Sequence, residues 1–221
     1  MGTLLIRIVA PLQSWGTQSD FTVRDTGLEP SKSGIIGLIC AAMGRPRSAA
    51  LDDLNTLKMG VRVDREGVVK RDFHIVQDVL KGDGKKIKDS IITNRYYLSD
   101  AAFLVGLEGE NELLSIIQGA LKNPVWSLYL GRKAFLPALP IWLEDGLREN
   151  QTLLEALTSM RWVVDRSGKN ATTPVRIVIE DPDGEQSQND VPISFDQRKF
   201  YGRRIKNLML SPDQIFEEEE E

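Results

Sequence analysis

The sequence predicts an α+β fold, and three observations carry that reading. Short β-branched or alternating stretches recur at residues 4–9, 59–76 and 96–107. Two segments, 31–44 and 110–122, have helical spacing with start and stop residues. Their order along the chain, β-α-β-β-α-β, is the split βαβ or ferredoxin-like pattern. The length of 221 residues suits one domain with a smaller appendage, taking about 150 residues as a domain.

Each element has a local reason. Leu4 to Val9 is β-branched and ends at Ala10-Pro11, a strand with Arg7 turned to solvent or ligand. Residues 11–30 keep no period and hold Gly16, Gly27 and Pro30, a long loop of the functional kind. Ser31-Lys32-Ser33 opens the first helix, and Gly44 with Pro46 closes it. Gly34, Gly37, Ala41 and Ala42 let that helix lie close on a sheet. Met59 to Asp64 alternates, Arg65-Glu66-Gly67 turns it, and Val68 to Val76 reads as its hairpin partner. Residues 80–92 are rich in glycine and lysine, an exposed tip or arm placed between the third strand and the second helix. Tyr96 to Leu107 reads as one strand. Leu113, Leu114, Ile116, Ile117, Ala120 and Leu121 form one helical face, which Pro124 stops. Val125 to Leu130 reads as a further strand running into Gly131-Arg132-Lys133.

Pro137 and Pro140 punctuate a boundary, so residues 1–140 form the first unit. Residues 141–216 read as a small β-rich unit, with a short helix at 153–157 and strands at 161–164, 175–179 and 192–195. Residues 217–221 are five glutamates, an acidic tail.

Charge and composition exclude several function classes. The chain has 28 basic and 32 acidic residues, net −4. Without the tail it has 28 against 27, so a polyanion site must come from local clustering. Residues 58–99 hold ten basic and six acidic residues, and residues 198–206 hold five basic and no acidic ones. One cysteine (Cys40) and one histidine (His74) exclude an internal disulfide and Cys/His zinc sites. Asp72, Asp78 and Asp100 make no two-metal constellation, so no metal or cofactor is expected. The charge-free stretch at 34–44 is too short for a membrane span, so a cytoplasmic protein with no membrane partner is expected.

Five motifs in order resemble one family: Leu12 to Gly16 (LQSWG), Pro30 to Gly44, Asp72 to His74, Arg95 to Gly109 and Leu128 to Lys133. They are similar to the CasD family of type I-E CRISPR Cascade subunits, within the RAMP superfamily, and the resemblance covers roughly residues 3–140. Asp196 to Arg204 resembles the family's late basic-aromatic segment more weakly. The resemblance implies a ferredoxin-like, RRM-related domain with a protruding hairpin thumb around residues 78–95 and a small C-terminal domain. It implies a non-catalytic, RNA-binding subunit of a hetero-oligomer that caps the crRNA 5′ handle in antiviral defense. The implied partners are that handle, the large subunit and the backbone subunits, with target DNA met only through the complex. The alternative is a metal-independent endoribonuclease that processes CRISPR repeat RNA, as a related type I-C protein does. A protein-only adaptor is the third reading.

The candidate contacts follow from residue chemistry. Trp15 stacks a base or plugs the core beneath a loop, and Gln13 and Ser14 can bond base or phosphate. Ser31, Lys32 and Ser33 do not make a P-loop, because Thr26 and Ser31 fill its glycine slots. They still open a helix, which is a generic phosphate site or a simple N-cap. Gly131, Arg132 and Lys133 pair a permissive backbone with two cations. Arg24, Arg95, the 198–206 cluster and the lysines of the arm (81, 85, 86 and 88) are further cations. His74, with Tyr96, Tyr97 or a lysine, is the acid–base candidate of the nuclease reading; alternatively it is a structural hydrogen-bonder.

Overall fold

β1 (Gly2–Val9) is buried on both faces, and such a strand belongs in the middle of a covered sheet. In the computed structural model, which describes residues 1–18, 22–80, 84, 87–166 and 171–215, that is where it lies. β7 (Ala102–Gly109) and β8 (Trp142–Glu149) flank it, both antiparallel. β4 (Lys58–Arg65) pairs with the far edge of β7. The order β8-β1-β7-β4 has α1 (Lys32–Met43) after β1 and α3 (Asn111–Lys122) after β7. The fold is α+β, with the split βαβ order that the sequence predicts.

Later strands extend the same sheet. β9 (Val175–Glu180) pairs with β4 through residues 60–62 and 177–179. β11 (Lys199–Leu210) and β10 (Gln186–Ser194) follow it, giving seven strands in the order β10-β11-β9-β4-β7-β1-β8. The chain on either side of residue 140 therefore shares one sheet.

Alternation along β1 assigns its two faces. Leu4, Ile6 and Ile8 meet Ile35 and Ile39 of α1 and Leu114 and Ile117 of α3. Leu5, with Leu104, meets Leu153, Ala156 and Leu157 of α4 (Leu153–Ser159). Arg62 is buried on β4, where it pairs with Asp64 at 2.6 Å and donates to the carbonyls of Leu157 and Met160 at the end of α4. Those carbonyls have no partner within the helix, so the guanidinium caps it.

The thumb is larger than expected. β5 (Val68–Leu80) and β6 (Ile87–Ser99) form an antiparallel ribbon in register from Val68↔Ser99 to Leu80↔Ile87, so it spans 68–99 rather than 78–95. β2 (Leu12–Gln13) and β3 (Val23–Arg24) pair with the root of β6, inside the loop of 11–30. The expected pairing of 59–64 with 68–76 is overturned. β4 is buried on both faces and takes buried partners, whereas β5 is exposed along most of its length. The ribbon consequently lies between β4 and β7, before the third strand of the split βαβ unit.

Tyr96 to Leu107 is two strands, broken at Asp100, whose φ is 58°. Val125 to Leu130 is not a strand. Its two leading N–H groups go instead to α1, Val125 donating to Ala42 O and Trp126 to Ala41 O, and Leu130 N donates to Phe135 O. The fourth strand is β8, and residues 161–164 form none. A single-turn helix, α2 (Asp52–Asn55), follows α1. The lysines at 81, 85 and 86, the Lys88 side chain and the acidic tail lie outside the described residues. No helix among the described residues is long and apolar enough to cross a membrane.

Candidate nucleic-acid interface

A cleft of about 480 Å3 opens where the ribbon root, the start of α1 and the 131–132 turn meet. The root contributes Arg24 and Arg95, which sit directly across from each other in the parallel β3–β6 pair. The turn contributes Gly131 and Arg132. Ser14, Trp15, Ser31, Ser33 and Gly34 line the inner side, and Phe195 and Phe200 line the other. The cleft thus brings together eight of the twelve residues expected at the site: Ser14, Trp15, Arg24, Ser31, Ser33, Arg95, Gly131 and Arg132.

The cations of the cleft lack carboxylate partners. Among the described residues, none of Arg24, Arg95 and Arg132 forms an ion pair. Arg132 donates to Tyr96 O at 2.6 Å and lies 5.4 Å from the Phe135 ring centre. Burial first, then the neighbouring guanidinium of Arg95 and that of Arg24, lowers the Arg132 pKa, with Asp72 opposing. The Nε of Arg95 is buried and has no hydrogen-bond partner. A buried donor left unmatched is costly, and an anion entering the cleft would match it.

Gly131 explains how two loops come this close. Its φ is 89°, and a Cβ there would stand 1.8 Å from the carbonyl oxygen of Ser14. Ser14 N donates to Leu130 O at 3.1 Å, which ties the LQSWG loop to the turn. The close approach permitted by this glycine is therefore to the protein's own backbone.

Four expected residues lie elsewhere. Gln13 is fully buried; its amide donates to Ala101 O at 2.8 Å and its carbonyl accepts the Trp15 indole N–H at 3.1 Å. Trp15 itself is only 2% exposed and packs beneath Gly34, so it offers the cleft no open ring. Lys32 is buried and ion-paired with Glu180 at 2.8 Å. His74 stands exposed on the ribbon with Nδ1 2.6 Å from Asp72, and Lys133 is exposed outside the cleft lining.

The helix N-terminus is also occupied from within. Ser31 caps α1 by accepting from Gly34 N, and Lys32 N donates to Asp190 Oδ2 at 2.7 Å. Asp190 also holds Arg203 at 2.7 Å, and Arg203 reaches Glu180 at 3.6 Å. A carboxylate thus takes the position next to the dipole that a phosphate would take. Arg203 and Arg204, which donates to Gly184 O, are structural members of the 198–206 cluster.

Phe195 and Phe200 are lining residues that sequence reasoning missed. Phe200 carries a signal in the basic-aromatic segment of 196–204, whereas Phe195 lies just before it and carries none. Phe200 is exposed and presents a ring to the cleft, a surface on which a base can stack.

The family model for CRISPR-associated protein (Cas_Cas5) matches residues 3–207. The chain is 32% identical over 155 residues to the CRISPR system Cascade subunit CasD of Escherichia coli (strain K12), spanning 63% of this chain and 69% of that protein. A crystal structure of a Cas protein is similar at a TM-score of 0.80 and 42% identity, over 97% of this chain and 98% of the other. A chain from a CRISPR RNA-guided surveillance complex is similar at a TM-score of 0.75 and 35% identity, over 96% and 90%.

Proposed function

The chain belongs to the CRISPR-associated protein (Cas_Cas5) family, and we propose that it is a subunit of an RNA-guided surveillance complex that grips the crRNA 5′ handle in the arginine cleft without cutting it. One observation carries this reading. Three guanidinium groups converge with no ion pair among the described residues, and one of them keeps a buried donor unmatched. Such a site suits a phosphodiester backbone, because guanidinium binds phosphate through paired N–H donors. Arg24, Arg95 and Arg132 neutralise phosphates. The hydroxyls of Ser14 and Ser33 bond sugar or base edges, and Phe200 stacks a base.

Cleavage without a metal needs a base at the attacking 2′-OH and an acid at the leaving oxygen. His74 is the chain's one imidazole, and it lies on the ribbon against Asp72, outside the cleft lining. The site therefore works as a clamp. The ribbon supports contact with neighbouring large and backbone subunits, since Phe73, Ile75, Val76 and Ile92 are exposed on it.

Ultraviolet crosslinking of the assembled complex tests the proposal. Handle nucleotides should crosslink to peptides holding residues 13–34, 95–97 or 131–135. Crosslinks confined to other peptides would remove the cleft from the interface. Site-specific cutting of repeat RNA by the purified protein in EDTA, abolished in His74→Ala, would replace the clamp with a nuclease.

A further inference from the structure

A second groove of about 330 Å3 continues from the cleft along α1, sharing Ser33, Gly34, Gly131 and Phe195 with it. We infer that this groove is a nucleobase pocket, in which a base of the strand held by the arginine cleft stacks on Trp126 and Tyr129.

The two hollows have opposite chemistry. Among the described residues the arginines of the cleft form no ion pair, whereas one of the two at the rim of the groove, Arg45, is neutralised by a carboxylate. Arg45 is paired with both carboxylate oxygens of Asp53, at 2.8 and 2.5 Å, and Arg47 donates to Phe195 O at 2.9 Å. Among the described residues, the groove consequently offers a phosphate one unneutralised guanidinium, Arg47, where the cleft offers three. It also offers rings. Trp126 is 49% exposed and Tyr129 38% exposed, and among the described residues neither packs on another ring or a cation. Large apolar rings left in water beside a polyanion cleft are the arrangement that single-stranded nucleic acids use for stacking.

The backbone beneath the rings is fixed. Trp126 N donates to Ala41 O and Val125 N to Ala42 O, so the segment is bonded to the last turn of α1. Gly37 and Ala41 keep the α1 side of the groove low, with Phe195 close above Gly37. A flat ring entering here needs no rearrangement of the main chain. Because the groove adjoins the cleft at Gly131, a base can enter it while its own or an adjacent phosphate stays at the arginines. This inference rests on the clamp reading of the cleft.

The test uses the full chain and single-stranded handle RNA with 2-aminopurine placed at successive positions. Binding should quench one or two positions strongly. Trp126→Ala should restore their fluorescence and weaken binding by about tenfold, and Trp126→Phe should keep most of the quenching. Trp126 is exposed, so an unchanged circular dichroism spectrum is expected for both variants. Unchanged quenching and affinity in Trp126→Ala and Tyr129→Ala, with weakened binding in Arg95→Ala and Arg132→Ala, would overturn the pocket and leave the clamp standing. Lost quenching in Trp126→Ala, with full affinity in the arginine variants, would keep a base on Trp126 but overturn the clamp and, with it, the pocket as an extension of the arginine cleft. Unaltered RNA signals with loss of neighbouring subunits on co-purification would make the groove a protein-docking surface and overturn the pocket.

Discussion

Replacing Arg24, Arg95 and Arg132 together with alanine should change how RNA binding depends on salt, as well as its strength. Each guanidinium that neutralises a phosphate displaces condensed counterions, and for single strands the slope of log K against log salt is about −0.7 per phosphate. The cleft holds three such groups without ion pairs, so their loss should flatten the slope by about 2. Between 50 and 200 mM salt that difference compounds to roughly a twentyfold shrinkage of the wild-type advantage. Filter binding or fluorescence anisotropy across a salt series measures it, at fixed pH and with one RNA. The variant should stay folded, because none of the three side chains is part of an ion pair, although Arg132 loses its bond to Tyr96 O. Parallel slopes for wild type and variant would refute the reasoning even if absolute affinity fell, since a fold defect lowers affinity without changing the number of ions released.

Other outcomes follow from single contacts. Gly131→Ala places a Cβ 1.8 Å from Ser14 O at a φ of 89°, so it should cost upwards of about 2 kcal/mol in urea unfolding and weaken RNA binding too. Asp190→Ala removes the carboxylate that holds both Lys32 N and Arg203, and should cost about 3–5 kcal/mol, while Asp183→Ala at an exposed turn should be near neutral. The Arg45 guanidinium holds the Asp53 carboxyl below its ordinary value of 3.8. That pairing contributes stability above the ordinary value and loses it as pH falls through the lower folded one. Asp53→Asn should accordingly be less stable than wild type at neutral pH and converge with it as pH falls below 3.8 and through the lower folded value, read as thermal midpoints.

Both long helices were legible, because cap and stop residues lie within a few positions of the segment they bound: Ser31 and Gly44 for α1, Pro124 after α3. Strand pairing was less legible. Residues 68–76 follow a turn as a hairpin partner for β4 would, but the strand mixes Lys70, Arg71, Asp72 and His74 with apolar residues and cannot adjoin one buried on both sides. Val125 to Leu130 has strand composition, yet its leading N–H groups are satisfied by α1 carbonyls. β8 has the reverse problem, since an edge strand carrying Glu144, Asp145 and Arg148 lacks an apolar signature.

In the cleft, arginines were legible from local context and their neighbours were not. Lys32 and Arg203 read as available cations until Glu180 and Asp190, the former 148 residues from Lys32, are brought beside them. For Trp15 the sequence left stacking ring and core plug both open, and its burial beneath Gly34 selects the plug. Charge and aromaticity are properties of single residues; availability is a property of the folded surroundings.

Asp190 travels 158 positions to meet the amide of Lys32. A helix end that faces a groove usually stays hydrated until a visiting anion settles on it. Here the chain brings its own permanent tenant, so the helix end beside the groove is satisfied with no ligand present. Under the clamp reading, loading need not mend that end, and departure leaves no raw helix end behind. A receptor of this kind can be emptied and refilled without its framework having to melt and re-form.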